Sequence, residues 1–143
     1  METSDKETTK CLTELTSTDG FYYLASPYSH EDRNIISIRV HESERAIAWL
    51  TKQNVVVFGA IHHSHPLVKY GLTGDWECWK KIDTAFLKKS DGLIILDITG
   101  WTTSKGVKAE LTYCGEMKKP IYLLKRKERY NESGYTISKI SSY

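Results

Sequence analysis

The fold of this chain is most constrained by four short apolar runs, which are separated by longer segments of helical character. The runs are rich in β-branched and aromatic residues and occupy residues 21–25 (FYYLA), 55–58 (VVVF), 93–97 (LIILD) and 121–124 (IYLL). Continuous apolar runs of this length are typical of strands buried on both faces, as in a parallel sheet.

The segments between the runs carry apolar residues at helical spacing, and helices are predicted over residues 38–52, 75–89 and 105–118. The alternation of strands and helices predicts a single α/β domain, with a parallel sheet of four or five strands flanked by helices. Residues 59–74 contain Pro66 and three histidines, and they are predicted to form a loop over the edge of the sheet.

Composition limits the class of protein further. The chain has 143 residues, of which 40% are hydrophobic and 27% charged, the proportions of one globular domain. A formal net charge of +2 gives no reason to expect a nucleic-acid partner, and no apolar run approaches the ~20 residues of a membrane span. Three well-separated cysteines indicate neither a disulfide framework nor a zinc finger, and they fit a reducing cytoplasm.

The two ends of the chain differ from its middle in composition. Residues 1–20 are rich in Thr, Ser and charge, with two lysines against five acidic residues, and are predicted to form a flexible extension. The domain is predicted over residues 21–125. Residues 126–143 are predicted to form a basic tail that packs on the domain or extends from it.

Two carboxylates lie on the apolar faces of predicted helices. Asp83 follows Trp79 by four residues, and Glu110 follows Val107 by three. Burial of an ionised carboxylate is costly, so such an acid is either paired, for example with a lysine, or functional. Two such acids beside the same end of the sheet favour a functional role, because paired carboxylates cleave glycosidic bonds as nucleophile and acid.

Two loops at the carboxyl ends of the predicted strands could contact a ligand. Ser104 and Gly106 open the helix that carries Glu110, and a helix N-terminus with free N–H groups favours a phosphate. A serine there is also an ordinary helix cap. After the first strand, Ser26, Tyr28 and Ser29 offer hydroxyl groups, although Pro27 makes a simple turn an equally ordinary reading.

The histidines at positions 62, 63 and 65 raise the question of a metal site. Their spacing fits no zinc pattern, so they are expected to contact substrate or to be polar loop residues. No metal or organic cofactor is therefore expected. The chain also lacks GxGxxG, P-loop and GxSxG motifs, which removes the main support for dinucleotide-dependent, NTPase and α/β-hydrolase functions.

A series of short motifs resembles the nucleoside 2-deoxyribosyltransferase-like superfamily. They are YLASPYS, D…L..SD before LIILD, S.GV..EL and KPIYLL, in that order over roughly residues 21–125. HSHP at 63–66 and GDW..W at 74–79 resemble an often phage-encoded branch of that superfamily. The first loop, SPYS, departs from the glycine-rich turn of the hydrolases in the group.

The resemblance implies a small Rossmann-like domain that forms a homodimer or larger homo-oligomer and acts on a nucleoside or nucleotide in the cytoplasm. It implies that Glu110 is the nucleophile and Asp83 the acid that assists the departing base. The residue that positions Glu110 is expected to be Tyr23, with Tyr22 as the alternative. Further substrate contacts are expected from Ser26, Tyr28, Ser29, His63, His65, Asp75, Trp76, Trp101, Ser104 and Gly106. The expected reaction is N-glycosidic cleavage of a nucleoside 5′-monophosphate. The alternatives are a nucleoside deoxyribosyltransferase and a non-catalytic protein that senses or sequesters a signalling nucleotide.

Overall fold

A computed structural model of the chain describes residues 2–128 and 133–140. Its sheet has five strands in the order β2-β1-β3-β4-β5. The strands are β1 (Tyr22–Ala25), β2 (Val57–Gly59), β3 (Leu93–Leu96), β4 (Ile121–Arg126) and β5 (Tyr135–Ile140). The first four are mutually parallel and β5 runs antiparallel to β4. The predicted α/β class, with helices flanking a mostly parallel sheet, is confirmed.

The helices are α1 (Glu2–Leu15), α2 (Arg33–Lys52), α3 (Ala60–Ser64), α4 (Trp76–Lys89) and α5 (Lys105–Glu116). The bounds of α4 agree closely with the prediction. Helix α2 begins five residues before the predicted start, because Asp32 caps it by accepting a hydrogen bond from the backbone N–H of Asn34 at 2.8 Å. No helix in the described part of the chain is long and apolar enough to cross a membrane.

The two faces of the sheet form two separate cores. Every residue of β1 and β3 is buried, as expected for central strands. Alternation along β1 directs Tyr22 and Leu24 to a core shared with α1 and α2, and directs Tyr23 and Ala25 to a core shared with α4 and α5. Tyr23 therefore lies on the face where the helices bearing Asp83 and Glu110 pack.

The N-terminal segment is not the flexible extension that its composition predicts. Residues of α1 spaced three and four apart face the protein, and Cys11 and Leu15 are 2% and 1% exposed. The backbone N–H of Ile137 in β5 donates to the Thr8 hydroxyl at 3.0 Å. Threonine-rich composition concealed this apolar face, because burial against β5 overrides weak helix propensity.

The predicted C-terminal tail contains β5 in its described part. The other residues of that predicted tail, 129–132 and 141–143, lie outside the described residues. Strand β5 pairs with β4 from Ile121↔Ile140 to Arg126↔Tyr135, so this part of the tail packs on the domain.

The segment predicted as a loop over residues 59–74 is largely helical. Helix α3 is followed by a 3₁₀-helix over His65–Tyr70. Pro66 lies in the first turn of that 3₁₀-helix, where its missing N–H costs nothing, and Gly71 ends it with a φ of 91°. Proline here starts a helix, whereas the prediction took it as a loop signal.

Candidate active site

A cavity of about 380 Å³ lies beyond the carboxyl ends of the parallel strands. Its walls come from the segments that follow β1, β2 and β3, and from the facing sides of α4 and α5. This is the position at which open parallel sheets bind ligands, because the loops that leave the strands converge there.

Asp83 and Glu110 both line this cavity and both are buried. Their exposed fractions are 7% and 5%. The Tyr23 hydroxyl, held in the sheet by β1, donates a hydrogen bond to Oε2 of Glu110. Oδ1 of Asp83 is buried and has no hydrogen-bond partner among the described residues. A buried acceptor without a partner is unusual and indicates a position where a ligand donor could bind.

Burial raises the pKa of both carboxyl groups. Glu110 has a pKa of about 8, although the hydrogen bond from Tyr23 lowers it and the neighbouring Asp83 raises it. Asp83 has a pKa of about 6, again because burial outweighs the stabilisation by Tyr23. Burial therefore favours the neutral form of Glu110 more strongly than the neutral form of Asp83. The roles that the resemblance implies require the opposite arrangement, with an ionised Glu110 and a neutral Asp83.

The N-terminus of α5 forms another wall of the cavity through Ser104, Lys105 and Gly106. The Ser104 hydroxyl oxygen accepts a hydrogen bond from the backbone N–H of Val107 at 3.2 Å, so this serine caps the helix. Its hydroxyl proton remains available to an acceptor in the cavity. The cap and the predicted phosphate contact are therefore compatible.

The loop after β1 lies against the segment that follows α3. The Tyr28 hydroxyl is 2.8 Å from Nδ1 of His65, and the Ser29 hydroxyl donates to the carbonyl of Gly74 at 3.2 Å. These two bonds connect the loop after β1, on one side of the cavity, to the segment that follows α3, on the other side. Ser26 is buried, and its hydroxyl has no partner among the described residues.

Most of the predicted substrate contacts lie on the cavity wall. The predicted residues found there, besides the two acids, are Ser26, Tyr28, Ser29, Asp75, Trp76, Ser104 and Gly106. Asp75 has a structural task as well, because its carboxylate accepts from the Cys78 N–H at 2.9 Å and caps α4.

Three predicted contacts do not line the cavity. His63 packs among the rings of Phe58, Trp79 and Phe86. Trp101 packs against the core, and its indole N–H donates to Asp97 at 3.0 Å. His65 contacts the Tyr28 hydroxyl but does not itself line the cavity. The helical geometry of residues 60–70 keeps His63 and His65 out of the cavity wall. The spacing of the histidines in the sequence does not predict this geometry.

Arg39 of α2 is a cavity residue that sequence reasoning missed. Its guanidinium donates to the carbonyls of Ser29 at 2.9 Å and Thr99 at 3.4 Å, while its buried Nε has no partner among the described residues. The guanidinium lies over Gly100, which has a φ of 100° and where a Cβ atom would come within 2.3 Å of it. A single arginine on a helix has no feature in the sequence that would identify it as a cavity residue. Only the topology of the sheet brings it to the site.

Among the described residues, no three His, Cys, Asp or Glu side chains are grouped so that they could hold a metal ion. The cavity instead offers two protonatable acids, free hydroxyl groups, an arginine and a helix N-terminus. That combination can transfer a proton and bind an anion.

Fold and site together define a single α/β domain with an acid-lined cavity at the carboxyl edge of its sheet. A family model described as a domain of unknown function, DUF1937, matches residues 20–126. The chain belongs to this family. Comparison with curated proteins gives no match.

Proposed function

We propose that the protein cleaves the bond between base and sugar in a nucleoside 5′-monophosphate, and that its family is related to the nucleoside 2-deoxyribosyltransferase-like superfamily. The proposal rests chiefly on one observation. Two buried carboxyl groups on different helices line one cavity, and a buried tyrosine donates to one of them.

In the proposed reaction, Glu110 attacks C1′ of the sugar and displaces the base. Asp83 gives its proton to the departing nitrogen, and a glycosyl ester on Glu110 remains. Water then attacks C1′, returns a proton to Asp83 and releases the sugar phosphate. Tyr23 stabilises the carboxylate of Glu110 by its hydrogen bond. No metal or organic cofactor takes part in this scheme.

The reactive form of the pair has an ionised Glu110 and a neutral Asp83. Because burial raises the pKa of Glu110 to about 8 and that of Asp83 to about 6, this reactive form is the less populated of the two singly protonated forms. A bell-shaped pH dependence of kcat/KM, with limbs near pH 6 and pH 8, follows from this arrangement.

The 5′-phosphate is proposed to bind at the N-terminus of α5. Free backbone N–H groups and the helix dipole favour an anion there, and Ser104 and Gly106 border the cavity. Glu110 lies less than two turns further along the same helix, so the phosphate and C1′ would lie on one wall of the site.

The proposal is tested by incubating the protein with the common nucleosides and their 5′-monophosphates and separating the free bases by chromatography. Base release is expected from at least one monophosphate. Glu110→Gln should abolish it, because the amide keeps the shape of the side chain but cannot form the glycosyl ester. Glu116→Gln, at an exposed position of α5, is the matched control. Base release by Glu110→Gln at the wild-type rate would refute the nucleophile assignment.

A nucleoside deoxyribosyltransferase would use the same glycosyl ester, with a second base in place of water as the acceptor. Addition of a free base to the reaction separates the two activities. Formation of a new nucleoside would identify a transferase, and unchanged sugar phosphate production would identify a hydrolase.

The high pKa of Glu110 favours a second candidate function, a non-catalytic nucleotide-binding protein. A neutral carboxyl group at pH 7 is a weak nucleophile but a good hydrogen-bond donor to a base. Submillimolar binding of a nucleotide without any base release between pH 6 and 9 would establish this function in place of the enzyme.

We also propose that the protein acts in the cytoplasm as a homo-oligomer. All three cysteines are free, which suits a reducing compartment. Ile82 and Phe86 on α4 are 39% and 38% exposed, and Leu72 before that helix is 43% exposed. Exposed apolar residues on one side of a domain favour association. Light scattering coupled to gel filtration would determine the mass.

A further inference from the structure

A second depression, which we call the basic groove, runs along α2 on the other side of Arg39 from the cavity. It has a volume of about 1110 Å³. Its α2 residues extend from Ile35 to Lys52, which corresponds to a length of about 25 Å at 1.5 Å per residue. Arg39 and His30 line both the cavity and the basic groove, so the two spaces are adjacent and meet at these side chains.

The basic groove carries twice as many cations as anions. Its cationic residues are Arg39, Arg45, Lys52, Lys125, Arg126 and Lys127, and its acidic residues are Glu42, Asp97 and Glu128. Glu42 is shared by Arg126 at 3.1 Å and Arg45 at 4.0 Å, and Asp97 accepts from Trp101. No ion pair of Lys125 or Lys52 is found within the described residues. The charge of this surface is therefore only partly compensated.

Arg39 is the cation at the junction. Its guanidinium contacts backbone carbonyls rather than a carboxylate, and its buried Nε–H has no partner within residues 2–128 and 133–140. An arginine that has a spare donor and no carboxylate partner is suited to a phosphate oxygen. It lies above the loop that leads to the N-terminus of α5, where the 5′-phosphate is proposed to bind.

We infer that the protein prefers, over a simple nucleoside 5′-monophosphate, nucleotides whose 5′-phosphate is joined to a second phosphate, so that the chain of phosphates leaves the cavity past Arg39 and lies in the basic groove. This inference rests on the proposed function. The groove is too long for one further phosphate alone. Ile35, Ile38 and Trp49 give it an apolar side, and Ile38 is 57% exposed. A pyrophosphate-linked dinucleotide is the member of this class that would occupy its length.

The test compares the dissociation constants of a deoxynucleoside 5′-monophosphate, the diphosphate of the same nucleoside and the corresponding dinucleoside diphosphate. Isothermal titration calorimetry with the Glu110→Gln variant avoids turnover. The diphosphate and the dinucleotide are expected to bind at least tenfold more tightly than the monophosphate, since one added charge-assisted contact typically gives about that factor.

The ratio of the monophosphate dissociation constant to the diphosphate dissociation constant shows whether the basic groove causes the tighter binding of the diphosphate. A double variant, Arg45→Gln with Lys125→Gln, should bring the ratio of monophosphate to diphosphate dissociation constants toward one. Lys89→Gln, which removes an exposed cation of α4 outside both spaces, should leave the ratio unchanged. Both positions of the double variant are exposed, so the fold is expected to persist, and its melting temperature would verify this.

Equal affinities of the Glu110→Gln protein for the mono- and diphosphates would overturn the inference, and base release by the wild-type protein would then still support the proposed function. The inference would also be overturned if Lys89→Gln lowered the ratio as much as the double variant does. The preference for the diphosphate would then come from the general charge of the protein and not from the basic groove. Tight binding of the diphosphate without base release from any nucleotide would support the phosphate subsite while refuting the glycosidase.

Discussion

Tyr23 illustrates how a single residue connects the sheet to the proposed chemistry. It is fully buried in β1, and its only polar atom beyond the backbone donates to Glu110. The direction of its side chain follows from strand alternation, which also placed Tyr22 in the opposite core. The pairing with Glu110 was expected from the resemblance and not from the residues alone, because a strand tyrosine is more often part of a core.

Replacement of Tyr23 by Phe should alter the pH profile more than the fold. Loss of the donated hydrogen bond removes an effect that lowers the pKa of Glu110. The alkaline limb of kcat/KM is therefore expected to move above pH 8, and the acid limb above pH 6, because Tyr23 lowers the pKa of Asp83 as well. Rates of base release at pH 5–10 would test this. An unchanged alkaline limb would contradict the role of Tyr23.

Replacement of Asp83 by Asn should reduce turnover more than binding. An amide cannot protonate the departing base, and loss of general-acid catalysis usually costs about 10²–10⁴ in rate. The loss should be large for a base that leaves poorly and small for an activated one. Parallel kinetics with Lys80→Gln, an exposed position of the same helix outside the cavity, provide the control. An equal effect on both kinds of leaving group would exclude the acid role.

The buried acid pair should also destabilise the folded protein at high pH. The pKa of Glu110 is about 8 in the fold and 4.5 ordinarily, so the folded state binds more protons over that interval and stability falls as pH rises through it. Above pH 8 the cost is on the order of 3–5 kcal/mol. The Glu110→Gln variant avoids this cost, because the amide does not ionise.

Thermal unfolding of the wild type and Glu110→Gln at pH 5 and pH 9 would measure this effect without any substrate. The variant is expected to be the more stable protein at pH 9 and to have a much smaller advantage, or none, at pH 5. A difference between the two proteins that does not change with pH would mean that Glu110 ionises normally.

At the level of secondary structure, prediction succeeded where apolar periodicity was strong. The four apolar runs gave β1 to β4, although β2 begins only at Val57. Trp79 and Asp83 are buried in α4 as their spacing indicated, whereas Ile82 and Phe86, which continue the same apolar spacing, are 39% and 38% exposed. Helix α1 was missed because Thr8 and Cys11 do not mark an apolar face. Helix α3 and the 3₁₀-helix were missed because Pro66 and the histidines suggest a loop, and their helical geometry depends on packing beyond β2.

The N-terminus of α5 allows a prediction that separates capping from phosphate binding. Ser104→Ala should lower stability by about 1 kcal/mol, because the cap to Val107 is lost. It should also weaken binding of a monophosphate about ten- to a hundredfold more than binding of its nucleoside, if the hydroxyl donates to the phosphate. The affinities of the monophosphate and of the nucleoside for the wild type and for Ser104→Ala show whether Ser104 binds the phosphate. Equal losses would leave Ser104 with the capping role alone.

At the scale of the whole molecule, the site is assembled from segments far apart in the chain. Arg39, Asp83 and Glu110 come from three different helices. The two acids could be predicted because each breaks the apolar pattern of its own helix. Arg39 could not, because its role depends on where α2 passes over the loop that follows β3, and that is a property of the complete topology.

Metal removal tests whether the molecule depends on the histidines at 62, 63 and 65. Treatment with EDTA should leave both the melting temperature and the rate of base release unchanged, because no group of three potential ligands occurs in the part of the chain that is described. One equivalent of zinc retained after dialysis, by elemental analysis, would reverse this expectation.

The packing of α1 on β5 has a consequence for the order in which the protein can fold during synthesis. Thr8 contacts Ile137, and Glu14 of the same helix accepts hydrogen bonds from Tyr122 at 2.6 Å and Lys139 at 3.1 Å. Helix α1 thus has its partners in strands that follow it by more than 100 residues in the chain. Until β4 and β5 emerge, Cys11 and Leu15 have no complete apolar surface to cover them. Docking of α1 therefore has to await the synthesis of β4 and β5, and nascent chains that lack β5 would expose this surface to chaperones.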